Sequence, residues 1–319
     1  MTMTRRRLLS LSAGALLAGA VPALGSETLR LSGRAYGTTW QATLRGGGKV
    51  DVLARALSED LARVDLAMSP FRPDSEITRF NGAAAGWHAA SAEFATVTTE
   101  ALRVAALTEG AFDPSVGPDV GRYGFGPIHG QRAGSFAGFA SRPMAVAKAD
   151  ALLTLDLCGI AKGFALDLMV DRIRQAGFRD FLVELGGEVR ASGTDSGGAP
   201  WRIGISHPLG GIHGAIDARG LAVATSGDAV NAYVVGTRRY SHIIDPVTDA
   251  PVVNDVASVT VLASSAMTAD ALATALLVMG PAAGLGFAEA QALPVLYLLR
   301  TPDGIRARGS SRFDSHRLS

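Results

Sequence analysis

The sequence predicts an α+β fold, with mixed or antiparallel sheets packed against helices. Two observations carry that prediction. Apolar residues recur at helical spacing in four segments, and short strand-like runs fall between them. Helices and strands come in blocks and not in strict alternation, which argues against a doubly wound parallel sheet. A third observation, 48% apolar and 18% charged residues, calls for a packed core and excludes a disordered chain.

Taken in order, the chain opens on Arg5-Arg6-Arg7-Leu8-Leu9 and runs uncharged to Ser26, past Pro22 and an Ala23-Leu24-Gly25 small-residue site. A positive start, an apolar middle and a small-residue end predict a secretory signal over residues 1–25 that is then cleaved, and the paired arginines point to the twin-arginine route. A retained membrane anchor is the alternative, because the uncharged stretch approaches spanning length; its Ala, Gly and Ser content and Pro22 count against it. No Cys follows the stretch, so a lipid-anchored lipoprotein is excluded. Cleavage removes three arginines and no acid. The expectation is therefore a periplasmic mature chain, residues 26–319, without a strong membrane anchor.

Leu53, Leu57, Leu61, Val64 and Met68 predict a helix from Asp51 to Met68, ended by Ser69-Pro70. Phe94, Val97, Ala101, Val104 and Ala105 predict a second, with Ser91 as cap and Gly110 just past its end. A third runs from Ile160 to Ala176 on Phe164, Leu168 and Ile173 and stops at Gly177. A fourth follows Thr268, with Leu272, Ala275, Leu276 and Met279 inward and Gly280-Pro281 as terminator. The strand-like runs are Thr39–Leu44, Leu152–Leu157, Phe181–Leu185, Arg202–Ser206, Ala257–Ala263 and Val295–Arg300. Gly124–Arg142 reads as a surface excursion. The length suits one large domain or two, and no hydrophilic linker divides the mature part.

A formal charge of +1 and scattered aromatics leave no footprint for nucleic acid. One Cys forms no intrachain disulfide, and Cys158 reads as a small buried apolar residue.

Leu155-Asp156-Leu157-Cys158-Gly159-Ile160-Ala161-Lys162-Gly163 reads as a strand, a glycine turn and a helix start. Backbone N–H groups, a helix N-terminus and an ammonium converge there, which suits a phosphate or pyrophosphate; a solvated lysine on a plain connection is the alternative. Asp270 and Thr274 lie one helical turn apart on one face, where a carboxylate and a hydroxyl can share an oxygen-seeking cation. Equally, Asp270 can complement the helix dipole and Thr274 can bond its own backbone. His242, ahead of an Asp245-Pro246 turn, can take a proton from an attacking hydroxyl or be a satisfied structural histidine. Phe112-Asp113-Pro114 reads as an Asx-type turn. Gly186-Gly187 and Thr225-Ser226-Gly227-Asp228 are loops able to approach a ligand closely.

The order of these segments is more specific than any one of them. Gly37-Thr38-Thr39-Trp40, Met68-Ser69-Pro70-Phe71, Gly110-Ala111-Phe112-Asp113-Pro114, Gly159-Ile160-Ala161-Lys162-Gly163 and Gly186-Gly187-Glu188 come first. Thr225-Ser226-Gly227-Asp228, Ser241-His242-Ile243-Ile244-Asp245-Pro246 and Ala269-Asp270-Ala271-Leu272-Ala273-Thr274 follow. Together they resemble the motif series of the ApbE family of FAD:protein FMN transferases, over residues 33 to 300.

The resemblance implies an ApbE-like, T-fold-like arrangement of one or two subdomains. It implies a magnesium-dependent, extracytoplasmic enzyme that moves FMN from FAD, its substrate, onto a Thr or Ser of a target flavoprotein and releases AMP. Acceptors would be membrane redox subunits or other exported flavoproteins. By position, Tyr36, Phe71, Ala111, Phe112, Asp113, Asp156, Lys162 and Ile244 match family FAD contacts. Asp270 and Thr274 match the magnesium side-chain ligands, Gly159 supplies a backbone carbonyl, and His242 matches the catalytic histidine. Tyr36, Tyr123, Cys158 and Asp249 depart from the usual Met, Trp, Gly and Gly; the Cys158 change crowds the turn that presents Gly159. A magnesium-dependent FAD pyrophosphatase and a non-catalytic FAD carrier use the same residues and stay open at this point.

Overall fold

The computed structural model describes residues 28–228, 232–236 and 238–318. The export signal expected over residues 1–25 lies outside the described residues. Strands β1 (Thr28–Ala35) and β2 (Thr38–Arg45) pair across Tyr36-Gly37. With φ of 51° and 74°, both turn residues occupy the left-handed region that a two-residue hairpin requires. Helix α1 (Val50–Met68) buries the leucines whose spacing predicts it and ends at Ser69. A short α2 (Glu76–Asn81) follows, capped by Ser75, whose Oγ accepts from Thr78 N–H; at one and a half turns it is too brief to show a period. After β3 (Gly86–Ala89) comes α3 (Ala92–Leu107), capped by Ser91 as expected, since its Oγ accepts from Phe94 N–H.

A short α4 (Gly117–Arg122) opens the irregular stretch that leads to β4 (Phe139–Arg142) and β5 (Ala145–Lys148), which form a small sheet with β3. The expected strand Leu152–Leu157 is not a strand. Asn81 takes the place of a partner strand: its Nδ2 donates to Leu155 O at 2.9 Å and its Oδ1 accepts from Leu155 N–H at 2.7 Å. One side-chain amide thus satisfies backbone groups that a ladder would otherwise have to pair.

Helix α5 (Ala161–Gln175) is followed by β6 (Asp180–Leu185), β7 (Glu188–Ser192), β8 (Ile203–Ser206), β9 (Ile212–Ile216) and β10 (Ala222–Gly227). Two hairpins come next, β11 (Ala232–Val235) with β12 (Arg238–Ser241), and β13 (Ile244–Asp245) with β14 (Ala250–Pro251). The chain ends through β15 (Val256–Ala263), α6 (Ala266–Ala290), β16 (Val295–Thr301), β17 (Gly304–Gly309) and β18 (Arg317–Leu318).

Helix α6 outruns its expected terminator. Gly280, at φ 70° and ψ 174°, breaks the helix, and Pro281 starts a second segment in which a missing N–H costs nothing. The Tyr297 hydroxyl occupies the break, donating to Leu276 O at 2.8 Å and reaching Gly280 O at 3.3 Å.

Eight strands form one sheet in the order β1-β2-β6-β7-β10-β15-β16-β17, and every pair among the described residues is antiparallel. The α+β reading holds. One face carries the main core with α1, α3, α5 and α6, and the other carries a smaller core under β18-β9-β8. Val259 and Val261 point to the helices while Leu262 points to the small sheet. Burial on both faces explains why Ala257–Ala263 reads as a nearly continuous apolar run.

Candidate active site

The inner ends of α5 and α6 meet beside the start of β7. They approach closely because Gly163 has no side chain: a Cβ there would lie 2.2 Å from Ala266 O. Asp167, in the second turn of α5, caps α6 by accepting from Ser265 Oγ at 2.7 Å, Ala266 N–H at 2.9 Å and Met267 N–H at 3.0 Å. This lock places Asp270 against the first turn of α5. Its Oδ2 accepts from Gly163 N–H at 3.0 Å, and its Oδ1 stands 3.6 Å from Lys162 Nζ.

Lys162 Nζ also donates to Glu188 Oε1 at 2.7 Å. Glu188 begins β7 directly after Gly186-Gly187, whose φ values of 60° and 109° form the tight turn that brings it under the lysine. It is 2% exposed, and its Oε2 finds no hydrogen-bond partner among the described residues. Burial pushes the Glu188 carboxyl up to about 8, with the Lys162 charge opposing and the Asp270 charge adding to the rise. Burial works against the Lys162 ammonium, yet the carboxylates of Asp270 and Glu188 hold its pKa above the usual lysine value. The lysine therefore stays charged between two acids.

Thr274, one turn beyond Asp270, has its Oγ1 3.3 Å from Ser226 Oγ. Gly159 packs between Phe112 and Thr274, since a Cβ there would lie 3.2 Å from the Phe112 ring and 3.4 Å from Thr274 Oγ1. Phe112 is presented by the turn after α3, where Thr108 Oγ1 accepts its N–H at 3.2 Å. Asp113 makes the expected Asx turn, accepting from Ser115 N–H at 2.8 Å. Asp156 accepts from Cys158 N–H at 2.9 Å, and its own N–H donates to Pro114 O at 2.7 Å. Phe112, Asp113, Asp156, Gly159, Lys162, Asp270 and Thr274 thus form one contiguous group.

Cys158 is exposed, contrary to its reading as a buried packing residue. Desolvation of the sulfur and the Asp156 carboxylate nevertheless push its thiol well above the ordinary value. Tyr36 turns away from the group toward α1, while Thr38, two residues on, meets Gly186, which rests on the Lys162 stem. The Tyr36 hydroxyl donates to Leu61 O at 2.9 Å. Phe71, 65% exposed, stands free in the turn after α1. Ala111 sits half-buried beside Phe112.

His242 and Ile244 belong to a second group, on the hairpins. The His242 ring meets Phe125 edge-on with centroids 6.1 Å apart, and Phe125 stacks on Tyr233 at 5.2 Å. Tyr233 stacks on Tyr240 at 5.2 Å, and Tyr240 on Tyr123 at 6.3 Å. Ile244 is buried and pairs with Pro251.

Asp270, Thr274 and the Gly159 backbone offer only hard oxygen donors, which suit a hard divalent cation. Among the described residues no group of three His, Cys, Asp or Glu could hold a metal alone. A cation at Asp270 would draw its remaining ligands from water or from a phosphate, and the donor set fits that use.

The sequence profile of the ApbE family matches residues 36–297. The chain belongs to the ApbE family. An FAD:protein FMN transferase of Vibrio cholerae is 38% identical over 97% of this chain and 98% of its own length. One from Haemophilus influenzae is 34% identical over 90% and 91%. Among solved structures, the flavin transferase ApbE from Vibrio cholerae superposes at a TM-score of 0.84 with 37% identity, covering 91% of this chain and 99% of that one. The apo flavinyl transferase ApbE of Pseudomonas stutzeri gives 0.84 with 31% identity, covering 92% and 98%. In this ApbE-family chain the matched stretch contains both residue groups. Glu188, the partner that holds Lys162, was visible in sequence only as one acid directly after a glycine pair.

Proposed function

We propose that this chain transfers FMN from FAD onto a Ser or Thr hydroxyl of a target flavoprotein and releases AMP. The observation that carries the reading is Lys162, held charged between Asp270 and Glu188 at the first turn of α5. An ammonium and a helix N-terminus at one point suit the pyrophosphate of FAD.

The residues divide the work. Lys162 and the first N–H groups of α5 would bind and orient the pyrophosphate, and Asp156 would border it. Phe112 and Asp113, with Ala111, Phe71, Tyr36 and Ile244, would contact the rest of FAD. Asp270, Thr274 and the Gly159 carbonyl would hold magnesium, which when bound supplies charge neutralisation on the phosphate oxygens. His242 would accept the proton of the acceptor hydroxyl as its oxygen attacks the FMN-side phosphorus. The new O–P bond forms, the P–O bond of the pyrophosphate breaks, and the bridging oxygen leaves with AMP.

The twin-arginine-like residues 1–25 support export, cleavage of that segment and action in the periplasm on exported or membrane-bound redox subunits. The decisive experiment incubates the full chain with FAD, Mg²⁺ and an exported flavoprotein, and reads acceptor intact mass together with AMP. A mass gain of one FMN with equimolar AMP is expected. Free FMN without acceptor gain would make the chain a pyrophosphatase, and FAD binding without AMP would make it a carrier.

A further inference from the structure

Between the two groups of site residues runs a hydrogen-bonded chain that the proposed chemistry does not use. It starts at Asp113, which accepts from Ser115 N–H at 2.8 Å. Ser115 Oγ donates to Gly134 O at 3.2 Å, and the same carbonyl accepts from Arg132 Nε at 2.9 Å. From the other end of the guanidinium, Nη1 donates to Pro246 O at 2.9 Å and pairs with Asp249 Oδ1 at 3.0 Å. Pro246 and Asp249 bound the turn of the β13–β14 hairpin, whose first residue is Ile244 and which follows His242 by one residue.

Other contacts show that this turn is held and not merely touched. Arg122 of α4 donates to Asp249 O and pairs with Asp119 at 3.1 Å. Asp119 is 2% exposed and lies 3.8 Å from Arg132. Asp249 has φ 51°, a left-handed conformation that a side-chain-bearing residue adopts at a cost, and its ion pair with Arg132 offsets that cost. The Arg132 side chain is only 16% exposed, so its planar fork works away from bulk water, where fixed donors count most. Helix α4 completes the span: a Cβ on Gly117 would come within 3.1 Å of Asp156 Cβ, so α4 rests directly on the phosphate-side loop.

We propose that Arg132 is a positioning residue for group transfer, setting the distance between the Asp113 loop, which would hold FAD, and the hairpin segment that bears His242 and Ile244. The proposal rests on the reading of His242 given above. In-line attack tolerates little misplacement of the base from the hydroxyl, whereas FAD binding is spread over many contacts. Loss of the clamp should therefore appear in kcat and not in KM.

The test compares the full chain with Arg132→Met, Arg132→Lys, Asp249→Gly and His242→Gly. The assay is AMP release from FAD with Mg²⁺ and an acceptor that gains FMN mass with the unaltered chain. Arg132→Met should lower kcat about tenfold with KM for FAD within about twofold. Arg132→Lys should fall about threefold, because one ammonium cannot serve Gly134, Pro246 and Asp249 at once. Asp249→Gly should fall about twofold, since Arg132 keeps the Pro246 carbonyl and Gly accepts the positive φ. If Arg132→Met does not fold, the ordering of the other two variants carries the test. Unchanged kcat in an Arg132 variant, or a rise in KM that matches the loss, overturns the clamp while His242→Gly remains impaired. Undiminished kcat in His242→Gly overturns the reading of His242 itself.

Discussion

Lys162 and Asp270 are fixed by groups built into the core elements: the buried Gly163 contact, the half-buried Asp167 cap and the buried Glu188, all on α5, α6 and the central sheet. His242 stands between two hairpins that lie outside the eight-stranded sheet, supported by stacked rings and by arginines from an irregular stretch. Tyr233, Val234 and Val235 on the first of these hairpins are exposed. The difference follows from the two tasks. Neutralising a pyrophosphate needs fixed charges in a dry setting, where they cost no reorganisation at the moment of reaction. Meeting a hydroxyl on another protein needs a rim that the partner can reach. A two-stranded hairpin is marginal by itself, so the rim depends on the aromatic stack and the arginine clamp for its shape.

The sharpest way to break this division is Asp270→Ala. It removes the proposed cation ligand, a carboxylate beside Lys162 and the acceptor of Gly163 N–H. Transfer should fall about a thousandfold, on the scale of losing a principal electrostatic stabiliser, and chelation of divalent ions should do the same to the unaltered chain. Magnesium-dependent turnover surviving in Asp270→Ala would remove the assignment. Next in size is His242→Gly, on the other side of the comparison. Its kcat should fall about a hundredfold, the usual range for a general base, with FAD affinity measured by flavin fluorescence nearly unchanged. Equal losses in kcat and affinity would move His242 to the binding side and dissolve the distinction.

How well each region reads from sequence follows the same line. The leucines of α1, the Ser91 cap of α3 and the apolar run of β15 are local signals with a fixed period, and the structure keeps them. Asp270 and Thr274 are legible together because one turn of helix sets their spacing, and Gly159 and Lys162 because a short turn leads directly into the start of α5. What was not legible depends on partners far along the chain. Leu152–Leu157 has the composition of a strand, but Asn81, 74 residues away in sequence from Leu155, satisfies its backbone instead. Glu188 meets Lys162 only because β7 and α5 pack together, and Arg132 meets Asp249 across more than a hundred residues. Cys158 was misjudged because a small thiol beside glycine looks like core, whereas its turn faces outward.

A smaller effect separates the buried group by pH. Burial pushes the Glu188 carboxyl up in the folded chain, while unfolding returns it to near its ordinary value, so the folded state holds its proton over a wider range. That contribution to stability is complete below about pH 4.5 and is lost as pH rises through the elevated folded-state value of about 8. Urea unfolding without FAD or divalent ions should show the unaltered chain losing more stability than Glu188→Gln between pH 5 and 9. Parallel pH profiles for the two chains would mean that Lys162 keeps Glu188 ionised throughout. The burial of Asp119, which raises its carboxyl as well, acts on both chains equally and cancels from the comparison.

The smallest effect belongs to Cys158, at the edge of the buried group. Its backbone N–H donates to Asp156 Oδ1 at 2.9 Å, so Cys158→Gly should keep that turn and change stability by no more than about 0.5 kcal/mol. The residue is exposed, yet desolvation of its sulfur and the Asp156 carboxylate hold the thiol protonated. Thiolate, not thiol, attacks alkylating reagents, so modification by iodoacetamide at pH 7 should be slow despite the exposure and should accelerate steeply above pH 9. Saturating FAD should slow it further, because Asp156 and Lys162 flank the same turn. Rapid labelling at pH 7, unaffected by FAD, would place Cys158 outside the pyrophosphate-binding group and move the boundary between the two regions inward, to Gly159.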